Sequence, residues 1–331
     1  MVAIAHIGYG YWGRNIARNL AELGVLRLIA DADAASAQKG AAELGVGAAT
    51  LDQVLESRDI DAVTIASPAE LHFDHARAAL HAGKSVFVEK PLSLKVGDAE
   101  VLCAMADERG LTLMVGHLLQ YHPVYVRLRE MVRGGGLGRL LYVYSNRLSL
   151  GKFRREENVM WSFAPHDISM ILALFGSEPS SVSAQGNVAY TAGVADVATV
   201  QMRFGDGGGA HVFASWMHPF KEHRLVVVGD RAMAVFEDSA LEWESKLKLY
   251  RHVIDTSGAV PNPTKGDAET IVVERAEPLK EECRHFVDCL ERGLVPRTDG
   301  REGVRVLRVL DAAETALRDD IGSSLGRRVS A

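Results

Sequence analysis

The chain of 331 residues carries a formal net charge of -6 and is 47% hydrophobic and 24% charged. This length is too great for one ordinary hydrophobic core and suits two domains of a globular protein. The weakly acidic balance gives no basic surface for nucleic acid, and no apolar run approaches the roughly 20 residues that a membrane span requires. We therefore expect neither nucleic acid nor a membrane as a partner.

The start of the chain and its cysteines predict a cytoplasmic protein. The opening MVAIAHIGYG has neither the basic segment nor the long apolar stretch of a signal peptide. Cys103, Cys283 and Cys289 are odd in number and lack the close spacing of thiolate metal sites. We interpret them as reduced packing residues and predict no metal site.

Residues 1–120 alternate short apolar runs with helical patterns, and glycine, proline or an acidic residue ends each apolar run. Repeated βα units of this kind predict an α/β Rossmann domain, a doubly wound parallel sheet that binds ligands at the carboxyl ends of its strands. The predicted strands are Val2–Ile7, Leu26–Ala30, Ala62–Ile65, Ser85–Val88 and Thr112–Val115, and the predicted helices are Ile16–Leu23, Ala34–Leu44, Leu71–His81 and Lys95–Glu108.

Residues 121–331 follow a different pattern, which predicts an α+β domain with a large open, mainly antiparallel sheet. A helix over Pro123–Arg133 ends at the run GGGLG, and a strand over Leu140–Arg147 follows it. The turns GDGGG and Gly229-Asp230 each separate two apolar runs, as in hairpins. Further helices are predicted near His166–Leu174, Leu279–Arg292 and Arg301–Arg318.

The first strand runs into a glycine-rich turn, GYGYWG, in which Gly8, Gly10 and Gly13 have GxGxxG spacing. The first glycine permits the tight turn, the second lets the backbone approach a pyrophosphate, and the third lets the helix pack on the strand. Pyrophosphate binds well at such a helix N-terminus. The turn, with Tyr11 and Trp12 inside it, is therefore predicted to bind a dinucleotide.

Asp31 ends the second predicted strand, near the spacing at which an acidic residue meets a ribose 2′-hydroxyl. A carboxylate there accepts hydrogen bonds from the diol and repels a 2′-phosphate. No arginine follows within the next few residues to neutralise such a phosphate. We therefore predict NAD rather than NADP as the cofactor.

Two later strand ends supply further polar residues at the same edge. In ASPAELHFDH, Ser67 and Pro68 precede His72 and His75, whose HxxH spacing is poor support for a metal because no third ligand accompanies it. In VFVEKPL, the apolar run ends in Glu89 and Lys90 before a proline, which cannot donate to a sheet. A lysine fixed there either reaches solvent or acts on a ligand.

The order GYGYWG, IASPAELH, EKP, VGHLLQYHP and WSFAPHDI resembles the Gfo/Idh/MocA family of pyridine-nucleotide oxidoreductases over nearly the whole chain. The resemblance implies that Lys90 reaches the reacting sugar or polyol and that His166 is its catalytic companion. It implies a C-terminal sheet that forms a homodimer or homotetramer. It also implies that the nicotinamide end is surrounded by Ser67, His72, Glu89, Pro91 and His117.

One position departs from the broad family pattern. Many members have an aspartate four residues before the catalytic histidine, where this chain has Ser162. The segment NVMWSFAPHDISMIL is instead similar to a branch that acts on nucleotide-linked amino sugars, especially the UDP-N-acetylglucosamine 3-dehydrogenases. Asp167, next to His166, is retained.

These observations predict oxidation of a secondary alcohol, with His166 as the base and the Lys90 ammonium stabilising the alkoxide. The alternatives are a related uronate dehydrogenase, a keto-sugar reductase, an inositol or simple-sugar dehydrogenase, and a non-catalytic NAD-binding regulator. A sugar diphosphate favours basic partners. The predicted substrate residues, besides Lys90 and His166, are Arg147, Lys152, Arg154, Arg155, Asn158, Trp161 and Asp167.

Overall fold

The N-terminal strands form a six-stranded parallel sheet in the order β3-β2-β1-β4-β5-β6, which confirms the predicted Rossmann topology. The structure is a computed structural model that describes residues 2–151 and 153–329, with side chains up to residue 321. The elements are β1 (Ile4–Ile7), α1 (Gly13–Glu22), β2 (Leu26–Ala30), α2 (Ala34–Leu44), β3 (Gly47–Ala49), α3 (Leu51–Glu56), β4 (Ala62–Ile65), α4 (His72–His81), β5 (Ser85–Glu89), α5 (Val96–Arg109) and β6 (Leu113–Gly116).

The later strands form an eight-stranded sheet in the order β16-β13-β12-β11-β7-β10-β9-β8, in which only the β7–β10 pair is parallel among the described residues. The predicted mainly antiparallel sheet and both hairpins, β9–β10 and β11–β12, are thus confirmed. The elements are α6 (Pro123–Arg133), β7 (Leu140–Leu150), α7 (Val159–Phe163), α8 (Pro165–Phe175), β8 (Ser181–Asn187), β9 (Val197–Arg203), β10 (Gly209–Ser215), β11 (Met217–Gly229), β12 (Met233–Glu237), β13 (Leu247–Tyr250), β14 (Val253–Asp255), β15 (Asn262–Thr264), β16 (Ala268–Thr270), α9 (Pro278–Arg292) and α10 (Gly300–Val329).

The chain divides into two compact units. The first comprises the residues up to Tyr121 together with Ala276–Leu307, and the second comprises His122–Arg275 and the residues from Arg308 onwards. The first unit ends next to the predicted boundary at residue 120. However, α9, which the sequence assigned to the second domain, packs in the first unit because Leu279, Cys283 and Phe286 join its core.

Four strands of the parallel sheet, β1, β4, β5 and β6, are mostly apolar and are buried on both faces. All four residues of β1, β4 and β6 are buried, as are all five of β5. In β10 of the second unit, Ala210, Val212 and Ala214 are buried and alternate with half-buried residues, as expected when only one face is covered. Within the described residues, we find no helix long and apolar enough to cross a membrane.

Candidate active site

In the glycine turn after β1, two of the three glycines have no room for a side chain. Gly8 has φ of +96°, and a Cβ there would lie 2.7 Å from the backbone of Ser67. A Cβ on Gly13 would lie 1.9 Å from the carbonyl oxygen of Gly8. A Cβ on Gly10 would meet nothing within 4 Å. Gly10 therefore leaves its backbone open to a ligand, which fits the approach of a pyrophosphate.

His6 lies directly beneath this turn, and the sequence interpretation missed it. Its fully buried ring places Nε2 3.0 Å from the Gly8 carbonyl oxygen and Nδ1 2.8 Å from Oγ1 of Thr64. Burial lowers the pKa of His6 to about 4, so the neutral ring donates to the carbonyl and accepts from the hydroxyl. A polar residue within an otherwise apolar strand was the available signal.

Asp31 lies at the end of β2, where its carboxylate is oriented by backbone groups. It accepts hydrogen bonds from the N–H of Tyr9 at 2.6 Å and from that of Asp33 at 2.9 Å. Each oxygen keeps a second lone pair that fits a ribose diol. The guanidinium of Arg14 lies 5.5 Å from the centre of the Tyr9 ring.

Glu89 joins the glycine turn to the end of β5. Its buried carboxylate accepts a hydrogen bond from Nε1 of Trp12 at 2.5 Å and one from the backbone N–H of Lys90 at 3.2 Å. A Cβ on Gly116 would lie 2.9 Å from this carboxyl group, so the neighbouring strand also fits around it. Burial raises the pKa of Glu89. Trp12, the Lys90 backbone and Gly116 thus surround the Glu89 carboxyl group, and the half-buried Lys90 follows this fixed residue directly.

The two histidines of the HxxH segment contact the loops around them. Nδ1 of His72 is 2.7 Å from the carbonyl oxygen of Pro91, and Nε2 is 2.9 Å from that of Ser67. Nδ1 of His75 is 3.0 Å from Oγ of Ser67. His72 is buried and so links the loops after β4 and β5. Among the described residues, no three His, Cys, Asp or Glu side chains are grouped to hold a metal.

His117 follows β6, and its side chain is paired within the first unit. Nδ1 lies 2.6 Å from Oε2 of Glu302, and both side chains are buried. Glu302 lies in the first turn of α10, 185 residues further along the chain, so no local spacing indicated this pair. The contact fixes the ring of His117 at the same edge of the sheet as Glu89.

Arg147 and Asp167, both predicted to contact substrate, contact each other in the interior of the second unit. Nε of Arg147 is 2.9 Å from Oδ2 of Asp167, and Nη2 is 2.9 Å from Oδ1. Ser145 donates a further hydrogen bond to Asp167 at 2.5 Å. Because Asp167 neutralises this guanidinium in a bidentate pair, the geometry favours a structural role for Arg147 instead of the predicted contact with a diphosphate.

A second, half-buried carboxylate extends this pair into a network. Nη1 of Arg147 lies 3.0 Å from Nδ1 of His223, and that atom lies 3.9 Å from Asp238. Asp238 also lies 3.3 Å from Nζ of Lys246 and 3.5 Å from Nε2 of His122. Burial opposes ionisation of Asp238, but its nearby partner His223 and the neighbouring cations hold its pKa well below the usual range.

The remaining predicted substrate residues lie around α7. Asn158 caps that helix and donates to Glu314 at 2.7 Å, and Nε1 of Trp161 donates to the same oxygen at 3.2 Å. Arg154 forms an exposed ion pair with Glu157 at 3.0 Å. The side chain of Arg155 is exposed, and Lys152 lies outside the described residues.

His166 occupies the first turn of α8, where Pro165 starts the helix. Its ring is half-buried, whereas the neighbouring Asp167 is fully buried. The buried Asp167 thus anchors the start of the helix to β7 through Arg147 and Ser145. An imidazole is the side chain best suited to accept a proton near neutral pH, so a histidine here suits a general base.

Comparisons with known proteins agree with this arrangement. The model of the Gfo/Idh/MocA oxidoreductase family with an NAD-binding Rossmann fold matches residues 2–117, and that of the Gfo/Idh/MocA C-terminal domain matches residues 125–235. A UDP-N-acetylglucosamine 3-dehydrogenase of Acidithiobacillus ferrooxidans is 32% identical over 304 residues, which cover 91% of this chain and 92% of the relative.

Two further relatives extend the comparison. The scyllo-inositol 2-dehydrogenase (NAD(+)) of Bacillus subtilis is 26% identical over 96% of this chain and 94% of its own length. The solved structure of the UDP-N-acetylglucosamine 3-dehydrogenase GnnA from Acidithiobacillus ferrooxidans superposes with a TM-score of 0.85 at 29% identity, covering 96% of this chain and 98% of that one. The predicted family and the predicted NAD cofactor are confirmed at the level of the family. The chain belongs to the Gfo/Idh/MocA family of oxidoreductases with an NAD-binding Rossmann fold.

Proposed function

We propose that this oxidoreductase oxidises the C3 hydroxyl of UDP-N-acetylglucosamine, forming the 3-keto sugar nucleotide and NADH. The observation that carries the proposal is 32% identity, over 91% of the chain, to a relative named for that reaction. The likeness of Asn158–Ile171 to that branch supports it further. The competing substrate class is an inositol, because a relative named as an inositol dehydrogenase also spans nearly the whole chain.

Each proposed catalytic residue has one task. Lys90, as an ammonium, stabilises the negative charge that develops on the C3 oxygen. His166 accepts the hydroxyl proton, because a neutral imidazole is available near pH 7 without strong tuning. The glycine turn with Tyr11 and Trp12, the carboxylate of Asp31, and the group Ser67, Pro68, His72, Glu89 and His117 hold the dinucleotide. NAD⁺ supplies the hydride acceptor.

We further propose that Asp31 makes the enzyme prefer NAD⁺ to NADP⁺. Its carboxylate suits a 2′-hydroxyl and repels a 2′-phosphate. Asp31→Ala should weaken NAD⁺ binding by about tenfold and narrow the gap between the two cofactors, measured as dissociation constants by fluorescence titration. Tighter binding of NADP⁺ than NAD⁺ by the unaltered enzyme would contradict this preference.

Aromatic residues on one face of the large sheet are the evidence for an interface with a second copy of this chain. Tyr142, Tyr144, His211 and Phe213 are half-buried and share one face, and the Tyr144 and His211 rings stack 5.5 Å apart. Aromatic residues of this kind are enriched in protein interfaces. We propose a homodimer or homotetramer through this sheet. A monomer in sedimentation equilibrium at micromolar concentration would contradict it.

The substrate assignment is tested by following NADH absorbance with a panel of UDP- and dTDP-linked sugars, UDP-N-acetylglucosaminuronate, free myo-inositol and glucose. UDP-N-acetylglucosamine should give the highest kcat/KM. A large advantage for the uronate would show that a basic residue recognises the C6 carboxylate, and the C3 chemistry would stand. Rapid oxidation of myo-inositol with no turnover of any sugar nucleotide would overturn the proposal.

A further inference from the structure

Glu282, in the second turn of α9, carries a carboxyl group that the proposed reaction does not use. The residue is completely buried, and no described residue makes a hydrogen bond to either of its carboxyl oxygens. Nearly all buried polar atoms in proteins have such a partner. An unpartnered carboxyl in an apolar interior is far more stable as the neutral acid than as the anion.

The packing of α9 on β5 aligns Glu282 with Glu89. Phe286 of the helix contacts Phe87 of the strand, with ring centroids 5.6 Å apart. Glu282 lies four residues before Phe286 on the same helical face, and Glu89 lies two residues after Phe87 on the same strand face. Both carboxyl groups are therefore buried in one environment. Burial and then the charge of Glu89 raise the pKa of Glu282 well above its usual value.

The hydrogen bonds around Glu89 and Glu282 determine which of the two carboxyl groups carries the negative charge. Glu89 accepts hydrogen bonds from Trp12 and from the Lys90 backbone, whereas Glu282 accepts none from a described residue. Hydrogen bonds to the charged form stabilise it, so a single proton shared by the pair lies on Glu282. The other titratable groups that face the pair are Lys90, His117 with its partner Glu302, Tyr121 and Cys283.

The sheet order places this pair on one side of the nucleotide crevice. Asp31 follows β2 and Glu89 ends β5, on opposite sides of the point between β1 and β4 where the strand order reverses. A dinucleotide lies across that crevice. With the adenosine ribose at Asp31, the nicotinamide half belongs to the side of β4, β5 and β6. This step rests on the proposed function, in which NAD is the cofactor.

We propose that Glu89 and Glu282 form a proton-sharing pair that makes the enzyme favour the oxidised cofactor. The pair holds one proton in the free enzyme and in the NADH complex. It releases that proton when NAD⁺ binds, because the cationic nicotinamide stabilises a second negative charge nearby. In this step the O–H bond of Glu282 breaks, its electrons remain on the carboxylate, and the proton passes to solvent.

Calorimetric titration in buffers of different ionisation enthalpy tests the proposal on binding alone. The enzyme should release a proton on binding NAD⁺ and none on binding NADH. Its affinity ratio for NAD⁺ over NADH should rise with pH, by about tenfold per pH unit in the range where a whole proton is released. Glu282→Gln keeps the shape of the neutral acid, so it should still bind both cofactors but lose the proton release and the pH dependence.

Glu281→Gln is the matched control, because Glu281 is the preceding residue and pairs with Arg284 at the surface; it should behave as the unaltered enzyme. Equal proton release with NAD⁺ and NADH, or proton release retained in Glu282→Gln, would overturn the inference while the dehydrogenase assignment stands. Failure to bind either cofactor would overturn the proposed function and this inference together.

Infrared spectroscopy tests the inference on the unaltered enzyme, so it remains decisive if Glu282→Gln does not fold. At neutral pH the unaltered enzyme should show the carbonyl band of a protonated carboxylic acid, and NAD⁺ should reduce that band whereas NADH should not. A spectrum without such a band would overturn the inference.

Discussion

The two units hold their candidate site residues by different means. In the first unit, backbone groups orient two of the site residues, because Asp31 accepts two N–H groups and both ring nitrogens of His72 contact carbonyl oxygens. In the second unit, charged side chains orient one another, as the buried Asp167 and Arg147 and the half-buried Asp238 do. Backbone-directed sites depend on local spacing, whereas a charge network depends on residues that meet only in the folded chain.

This difference between the units predicts which kind of substitution damages each of them most. A buried ion pair contributes little net stability, yet loss of one partner leaves an uncompensated charge. A glycine turn fails when a side chain enters it. The following predictions compare the two units, beginning with the largest expected effect.

The largest effect concerns one catalytic candidate from each unit. Lys90→Met and His166→Asn should each lower kcat by about 1,000-fold, because each removes an interaction made mainly in the transition state. NAD⁺ affinity and thermal unfolding should change little. The exposed Lys95→Met is the control for loss of a lysine. Retention of most activity by Lys90→Met would mean that this residue is only a solvated strand end.

The glycine turn gives a matched pair of substitutions within the first unit. Gly13→Ala should lower the melting temperature and abolish NAD⁺ binding, because its Cβ would lie 1.9 Å from the Gly8 carbonyl oxygen. Gly10→Ala should leave the melting temperature unchanged, because its Cβ has open space. It should nevertheless lower the affinity for NAD⁺ by about tenfold or more, because the added methyl group lies where the pyrophosphate approaches. Unfolding by denaturant together with cofactor titration separates the two outcomes. Unchanged cofactor affinity in Gly10→Ala would refute a pyrophosphate at this turn.

The buried pair is the corresponding test in the second unit. Arg147→Met and Asp167→Asn should each lower the free energy of unfolding by about 3–5 kcal/mol, and the double variant should lose less than the sum of the two. Arg154→Met removes an exposed pair and should cost less than about 1 kcal/mol. If Arg147→Met has the same free energy of unfolding as the unaltered enzyme but a higher KM for the sugar nucleotide, Arg147 is the diphosphate contact that the sequence predicted.

One buried histidine in each unit makes stability depend on pH in the same direction. The pKa of His6 and of His122 is lowered to about 4, in both cases chiefly by burial. The unfolded chain therefore binds more protons, so stability present above about pH 6.5 is lost as the pH falls towards 4. Each histidine should account for about 3 kcal/mol of that loss.

Unfolding experiments from pH 7 to pH 4 measure this loss. His6→Asn and His122→Asn should each flatten the dependence, and the exposed His81→Asn should leave it unchanged. A dependence that is equally steep in all three variants would show that other groups cause it.

The same contrast explains what the sequence could predict. The glycine turn, Asp31 and the EKP segment were found because their chemistry needs fixed local spacing. Besides the polar His6 in its apolar strand, two further signals were available but missed. Thr50 and Gln53 form the capping box of the unpredicted α3, and the alternation of β7 places Arg147 on the buried face with Val143 and Ser145.

Other features had no local signal at all. Asp238 gathers its partners from three separate segments, and Glu302 meets His117 across 185 residues. The position of α9 in the first unit likewise depends on the chain returning after the second unit. Such contacts arise from the tertiary fold, which composition and periodicity do not specify.

The most direct test of the proposed reaction uses UDP-N-acetylglucosamine that carries deuterium at C3. The account predicts that one deuterium is transferred to NAD⁺, giving deuterated NADH, and that the sugar nucleotide becomes its 3-keto form, both read by mass spectrometry. It also predicts that Lys90→Met and His166→Asn form neither product at a comparable rate. NADH without deuterium, or a product oxidised at another carbon, would contradict the account.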